Sequence, residues 1–310
     1  GLPEIPGDTM IARRRYMKNE LDHYRRFLML EPRGHADMYG AVLTPPVTAD
    51  GDVGVLFMHN EGYSTMCGHG IIGLVTAGLE HGLFEAANPQ AILIDTPAGR
   101  ITARARRKAV GGIESVSFLN VPSFVLEDNC QLKAGGRDLH VTIAFGGAFY
   151  AYLDAQVLGL ELVPGEASAL IEYGREIKDE VNRDYTIRHP DGDEDMNFLY
   201  GTIFIRNGSR AGHSRNVCVF ADGELDRSPT GTGVSGRAAI HFSRGEIGLQ
   251  QVLHIESIIG TSFSVRCVRE TMVGDYPAVI PEVTGSAYIT GESNFLLDSS
   301  DPLQEGFFIR

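Results

Sequence analysis

The sequence lacks several patterns that mark common classes of protein. No stretch approaches the roughly 18 uninterrupted apolar residues of a membrane helix, and the first twenty residues contain no apolar stretch typical of a signal peptide. Basic residues are few, since 27 lysines and arginines stand against 40 aspartates and glutamates, for a net charge of −13. This charge argues against binding to nucleic acids or anionic membranes. We therefore expect a cytoplasmic protein with a small-molecule partner.

Cysteine is also scarce, and its spacing argues against a metal centre. The four cysteines are Cys67, Cys130, Cys218 and Cys267, and they form neither a CxxC pair nor any other metal-ligand spacing. No GxGxxG turn follows a strand-like run, so a nicotinamide cofactor is not expected either. Cys218 and Cys267 lie in apolar, strand-like runs where a buried, inert thiol is usual. Cys67 differs because it lies in a glycine-rich turn, MCGHG at 66–70.

The two halves of the chain repeat one pattern at a constant offset. GVLFMHNEGYSTMCGHG at 54–70 parallels VCVFADGELDRSPTGTG at 217–233, and YGAVL at 39–43 parallels YGTIFI at 200–205. After each glycine turn come a helix-like run and then a strand, a turn and a second strand. We predict an α/β fold of two pseudo-symmetric lobes, with long helices at 9–30 and 164–183. The first lobe is expected to span 1–125, joined by 286–310, and the second 126–285.

The paired turns place Cys67 and Thr230 in matching positions. A helix amino terminus exposes unpaired N–H groups and a partial positive charge, so it binds a carboxylate and favours ionisation of a nearby thiol. The glycines of the two turns allow another backbone or a ligand to approach closely. These glycines are Gly68, Gly70, Gly231 and Gly233. If the lobes face each other, both turns border one cleft for a small carboxylate ligand. The alternative is that both turns merely start helices.

Other polar residues near the turns have more than one interpretation. His69 directly follows Cys67-Gly68 and would assist the thiolate, hold the substrate or point outward. Asp226 lies four residues before the second helix start, where it would bind a substrate ammonium group or accept hydrogen bonds from the turn. Arg33, His35 and Asp37 would serve the substrate or form an internal ion-pair network, and the network is slightly favoured.

Four motifs together resemble the proline racemase family over essentially the whole chain. They are MCGHG, DRSPTGTG, RGHADMYGA at 33–41 and FGGAFYAYLDA at 145–155. The resemblance implies a cofactor-independent enzyme with a fold of the diaminopimelate epimerase type. In that fold each lobe is a strand-rich barrel around a central helix, with the active site between the lobes. Racemases and hydroxyproline epimerases of the family have a cysteine in both turns, whereas Thr230 resembles the trans-3-hydroxy-L-proline dehydratase branch.

The resemblance also implies roles for individual residues. Cys67 is then the catalytic base, and Thr230 occupies the second catalytic position. The substrate-binding residues implied are Gly68, His69, Asp226, Gly231 and Thr232, with no metal and no cofactor. The expected reaction converts trans-3-hydroxy-L-proline to 1-pyrroline-2-carboxylate and water. Two alternatives stay open, namely a racemase of proline or 2-epimerase of 4-hydroxyproline with a water relayed through Thr230, and a non-catalytic imino-acid binding protein. A homodimer is compatible with the sequence.

Overall fold

A computed structural model describes residues 2–208 and 213–309 as a mixed α/β fold of two lobes. The first lobe contains α1 (Met10–Glu20), α2 (Asp22–Met29), β1 (Tyr39–Thr44), β2 (Val53–His59), β3 (Tyr63–Ser64), α3 (Gly68–His81), β4 (Ile92–Thr96), β5 (Gly99–Arg107) and β6 (Ile113–Leu119). The second contains β7 (Ser123–Ala134), β8 (Arg137–Phe145), β9 (Phe149–Asp154), α4 (Ala167–Asp184), β10 (Leu199–Asn207), β11 (His213–Phe220), β12 (Glu224–Leu225), α5 (Gly231–Ser243), β13 (Leu253–Glu256), β14 (Ser262–Val273) and β15 (Tyr276–Gly285). Among the described residues, no helix is long and apolar enough to cross a membrane.

The two lobes repeat the same strand pairings, which confirms the pseudo-symmetry predicted from the sequence. In the first lobe β2 pairs antiparallel with β1 and β3 and parallel with β4, and β5 then joins β4 to β6. In the second lobe β11 pairs in the same way with β10, β12 and β13, and β14 then joins β13 to β15. Each helix that follows a glycine turn, α3 or α5, therefore starts at an equivalent place in its lobe.

The second lobe is a closed barrel around α5. Its strands follow the order β15-β14-β13-β11-β10-β9-β8-β7, and β7 pairs back onto β15. Every residue of α5 from Gly231 to Ile240 is buried, as expected for a helix enclosed by strands. In the first lobe, β1, β2, β4, β5, β6 and the end of β15 curve around α3, and among the described residues this sheet does not close. Strand β15 joins the lobes because it pairs with both β6 and β7.

The predicted helix at 9–30 is two helices, with a break at Leu21. Thr9 caps α1 by accepting a hydrogen bond from the Ala12 amide. After the break, Asp22 holds the guanidinium of Arg25 at 2.7 Å, and this guanidinium also donates to the backbone carbonyl of His59. The break therefore lets α2 change direction and attach to the end of β2. The other predicted helix, at 164–183, matches a 3₁₀ turn at Pro164–Glu166 followed by α4.

The carboxy-terminal segment returns to the first lobe. Phe307 pairs with Glu31 in an antiparallel bridge. Glu305 forms an ion pair with Arg26 at 3.0 Å, and the carbonyl of Gln304 accepts a hydrogen bond from Arg33. These contacts support the assignment of 286–310 to the first lobe, while the residue limits of the two lobes stay a prediction.

Candidate active site

Cys67 is the N-cap residue of α3 and directly precedes the helix. Its backbone is extended, with φ −142° and ψ 112°, and its Sγ accepts a hydrogen bond from the amide of Gly70 at 3.2 Å. The side chain is largely buried, with Cys67 only 5% exposed. An amide donor and the positive end of the helix dipole both stabilise negative charge on sulfur. The position therefore suits a thiolate that acts as a base.

Thr230 directly precedes α5 at the matching position, but its backbone conformation and its hydrogen bonds differ from those of Cys67. Its φ of 66° lies in the left-handed region, which a β-branched residue rarely adopts. Its side chain does not cap the helix, and instead the hydroxyl donates to Asp226 Oδ2 at 2.7 Å. Because the hydroxyl proton is engaged by a carboxylate, Thr230 presents only acceptor lone pairs to the cavity. The two helix starts are therefore chemically unequal.

Gly68 and Gly231 bring the two helix starts into direct backbone contact. A Cβ atom added to either glycine would lie 2.5 Å from the Cα of the other. No residue with a side chain fits at that distance, so glycine is required on both sides. The amino termini of α3 and α5 consequently border the same space and together offer unpaired N–H groups to a carboxylate.

His69 and Asp226 form a charged pair across the two lobes. His69 Nδ1 lies 3.4 Å from Asp226 Oδ2 and 3.1 Å from the hydroxyl of Ser228. Removal of water from the ring by itself lowers the pKa of His69, but Cys67 and Asp226 raise it well above the ordinary value of 6.5. Burial by itself raises the pKa of Asp226, but His69 and the hydrogen bonds to the carboxylate hold it below the ordinary value of 3.8. Asp226 therefore favours the protonated form of His69, and His69 favours the ionised form of Asp226.

An aromatic wall completes the cavity and is formed by Tyr39, Tyr150, Tyr200 and Phe220. The Tyr39 hydroxyl is hydrogen-bonded to Ser64 and lies 3.4 Å from the Tyr200 hydroxyl. Burial raises the pKa of both tyrosines well above 10.0, so their hydroxyls stay protonated. The volume of this cavity is about 10 Å³, which is space for a single water molecule. The lining side chains therefore have to move apart to admit a five-membered ring with a carboxylate.

All seven site residues predicted from the sequence line this cavity. They are Cys67, Gly68, His69, Asp226, Thr230, Gly231 and Thr232. Their individual roles stay proposals. Sequence reasoning missed the aromatic wall, since the sequence shows Tyr39 and Tyr200 only as the first residues of two matching segments, YGAVL and YGTIFI. Their identical place in the two repeats was the signal that could have found them, because matching strands lead to the same cavity.

Arg33, His35 and Asp37 lie outside the cavity lining. Arg33 donates to the backbone carbonyl of Phe27 at 2.6 Å, and His35 Nδ1 contacts the carbonyl of Ala36. Asp37 forms an ion pair with Arg227. Among the described residues, Asp37 pairs with an opposite charge, whereas the contacts shown for Arg33 and His35 are to backbone carbonyls.

The other three cysteines are buried away from solvent. Burial raises the pKa of Cys130 to about 11 and that of Cys267 to about 11. Burial, together with Asp226, raises the pKa of Cys218 well above 9.0. Among the cysteines that the structure describes, only Cys67 lines the cavity.

Comparison with known sequences gives a consistent family. The family profile described as proline racemase matches residues 1–308. A protein of Colwellia psychrerythraea named trans-3-hydroxy-L-proline dehydratase is 46% identical over 100% of this chain and 88% of its own length. Further relatives at similar identity have the same name. A Burkholderia multivorans protein named 3-hydroxyproline 2-epimerase is also 46% identical, over 100% of this chain and 93% of its own length.

Comparison with solved structures gives the same fold. A hydroxyproline epimerase from Agrobacterium vitis, with trans-4-hydroxy-L-proline bound, superimposes with a TM-score of 0.92. The two sequences are 33% identical, and the match covers 99% of this chain and 89% of the other. This likeness confirms the predicted two-lobed α/β fold.

Proposed function

The chain belongs to the proline racemase family, and from this premise we propose that it dehydrates trans-3-hydroxy-L-proline to 1-pyrroline-2-carboxylate, with Cys67 as the base. The observation that supports this most is the inequality of the two helix starts. A thiol stands at one, and at the other the hydroxyl of Thr230 donates to Asp226. A racemase must act on both faces of the α-carbon, whereas a dehydratase can act on one. The dehydratase name of several relatives agrees with this proposal.

The substrate is held by opposite charges. Its carboxylate binds at the amino termini of α3 and α5, where the amides of Gly68, His69, Gly231 and Thr232 are available. Its ring ammonium group faces Asp226, whose low pKa keeps the carboxylate ionised. The charge of His69 adds to the attraction for the substrate carboxylate. Binding in this way turns one face of the ring toward Cys67.

The chemistry follows from stereochemistry. In trans-3-hydroxy-L-proline the hydroxyl is opposite the carboxylate, so it lies on the same face as the α-hydrogen. The Cys67 thiolate takes the α-proton, the C2–H electrons form the C2=C3 bond, and the C3–O bond breaks. The departing hydroxide takes the proton back from the thiol, which gives water and restores the thiolate. The resulting enamine then tautomerises to the cyclic imine. Amides at the helix starts stabilise the charge that develops on the carboxylate.

We expect trans-3-hydroxy-L-proline to react at least about a hundredfold faster than the cis-3 isomer. The hydroxyl of the cis isomer lies on the face opposite Cys67, so no general acid is available to it there. General acid catalysis raises a rate by a factor of about 10²–10⁴. The measurement is imine formation by NMR in heavy water. Comparable rates for the two isomers would contradict a mechanism confined to one face.

The second candidate is an epimerase, as the name of the Burkholderia multivorans relative suggests. The same heavy-water experiment separates the two, because an epimerase yields the inverted amino acid with deuterium at the α-carbon and a dehydratase yields the imine.

The third candidate is a binding protein. It predicts that a ligand protects Cys67 against alkylation and that no hydroxyproline is turned over. We place the epimerase below the dehydratase, since the hydroxyl of Thr230 exchanges protons near neutral pH far less readily than a thiol. We place the binding protein below it because Cys67 lines the cavity.

Replacing Thr230 with cysteine is expected to introduce inversion of L-proline or 4-hydroxyproline. The change puts a thiol on the second face of the substrate. A positioned acid or base raises the reaction rate by a factor of about 10²–10⁴, and a displacement of about 1 Å lowers the rate by a factor of about 10². We therefore expect the rate of inversion to be roughly tenfold above that of wild type. The measurement is α-deuterium incorporation with inversion. If the introduced thiol reacts with an alkylating reagent in the cavity but no inversion follows, Thr230 is not simply the missing half of a racemase pair.

A further inference from the structure

We propose that Asp37 and His59 of the first lobe are positioning residues that hold Asp226 in place across the lobes. The inference rests on the proposed function and adds two residues to it. It concerns the clamp segment, which we define as residues 224–227 and which contains Asp226 at its third position. Each of its four residues contacts the first lobe: Glu224 contacts His59, Leu225 contacts Asp37, Asp226 contacts His69, and Arg227 contacts Asp37.

The contact between His59 and Glu224 is a deeply buried ionisable pair. His59 Nδ1 is hydrogen-bonded to Glu224 Oε1 at 3.2 Å and lies 3.0 Å from Oε2, and the two side chains are 5% and 1% exposed. Removing two such polar groups from water costs free energy that their hydrogen bond barely repays, so net stability is a weak reason for the presence of this contact. Fixing the register of two packed elements is a better-attested role for such pairs. Here the two elements are the ends of β2 and β12, one from each lobe.

His59 also packs directly behind the aromatic wall. Its ring centroid lies 5.9 Å from that of Tyr39, 5.8 Å from that of Tyr200 and 5.7 Å from that of Phe220. A change in the position of His59 would therefore reach the cavity through three of its lining side chains. The pair thus supports both the clamp segment and the wall opposite it.

Asp37 attaches the clamp segment on the other side of Asp226. One of its carboxylate oxygens accepts a hydrogen bond from the amide of Leu225 at 3.1 Å, and the other lies 2.5 Å from the guanidinium of Arg227. The side chain of Asp37 is only 9% exposed, whereas that of Arg227 is 52% exposed. Because Arg227 is exposed, its ion pair with Asp37 contributes little, and the partly buried, charge-assisted hydrogen bond from the Leu225 amide is the stronger attachment.

The local hydrogen bonds of Asp226 cannot replace these contacts. Its carboxylate accepts hydrogen bonds from the Ser228 amide and the Thr230 hydroxyl, both at 2.7 Å. Both partners belong to the second lobe, as does the carbonyl of Cys218, which accepts a hydrogen bond from the Asp226 amide at 3.0 Å. Because all of these bonds lie within the second lobe, the distance from Asp226 to His69 and to a substrate held beside Cys67 also depends on the contacts between the clamp segment and the first lobe. Loss of Asp37 or His59 therefore displaces Asp226 without removing it.

A double-mutant cycle between Asp37 and Asp226 tests this inference. We expect Asp37→Ala to lower kcat/KM for trans-3-hydroxy-L-proline by about 30-fold and Asp226→Asn to lower it by about 100-fold, as for displaced and removed binding groups. If Asp37 acts through Asp226, the double variant is no slower than Asp226→Asn within about threefold. A purely structural contact instead gives multiplied losses, of about 3,000-fold, and that result overturns the inference.

Two further variants make the cycle specific. Asp37→Asn keeps an oxygen that can accept from the Leu225 amide, so we expect it to recover most of the activity lost in Asp37→Ala. Asp50→Ala removes an aspartate that is 74% exposed and ion-paired only on the surface with Arg100, and it should match wild type. If Asp37→Ala does not fold, the same cycle is measured with His59→Gln, and multiplied losses there overturn the inference equally.

The cycle also distinguishes failure of this inference from failure of the proposed function. Wild-type protein that forms no imine from trans-3-hydroxy-L-proline overturns the proposed reaction. The cycle is then measured as protection of Cys67 from iodoacetamide by L-proline, which requires binding but no dehydration. Non-additive losses of protection uphold the clamp, and multiplied losses overturn it.

Discussion

Cys67→Ser is expected to lower the rate of imine formation by about a thousandfold or more. The thiolate serves first as base and then as acid, and removing a positioned acid–base group costs about 10²–10⁴. Serine is slightly smaller than cysteine, and its oxygen can also accept a hydrogen bond from the Gly70 amide, as the Cys67 sulfur does. Its hydroxyl does not ionise near neutral pH, so the proposed proton transfer is lost. Steady-state assay of imine formation measures the effect.

Cys267→Ser is the matched control for this substitution. Cys267 is fully buried outside the cavity, and its Sγ lies 3.8 Å from the carbonyl of Ala238. We expect its activity to stay within about threefold of wild type, as for a substitution away from the site. Near-normal turnover by correctly folded Cys67→Ser would remove Cys67 from the mechanism.

The repeat in the sequence predicted the fold because it reports strand pairing as well as element type. Two runs that match in order and spacing, such as 54–70 and 217–233, must bury the same faces, and β2 and β11 indeed make the same pairings. The break at Leu21 was not predicted. The apolar residues of 9–30 fit one helix, and the break depends on the contact of Arg25 with the distant end of β2.

The glycine turns predicted which residues meet at the cavity, because two helix starts with small residues can approach closely. Their chemistry was only half predictable. The left-handed backbone of Thr230 and its hydrogen bond to Asp226 follow from the fold of the loop, and no local propensity of threonine indicates them. The contacts of Asp37 and His59 with the clamp segment join residues far apart in the chain, so sequence spacing could not indicate them.

The contact between the helix starts leads to the other large expected effect. Gly68→Ala should lower activity by about a hundredfold or more, because the new methyl group would lie 2.5 Å from the Cα of Gly231 and 3.0 Å from the ring of Phe118. The backbone of Gly231 cannot yield without moving α5. The helix starts must therefore separate, and a displacement of about 1 Å between reacting groups costs about 10² in rate. Overpacking of this kind also destabilises a fold by about 1–3 kcal/mol.

Gly73→Ala is the control on the same helix. Gly73 lies in the interior of α3, and a Cβ atom there meets nothing within 4 Å. Alanine at such a position stabilises a helix by about 0.5–1 kcal/mol, so we expect full activity and a slightly higher Tm. The pair of variants separates helix propensity from the contact itself, because both make the same chemical change in α3. Full activity in Gly68→Ala would mean that the helix starts can part without harm, and the carboxylate cradle would then have to be formed by one helix alone.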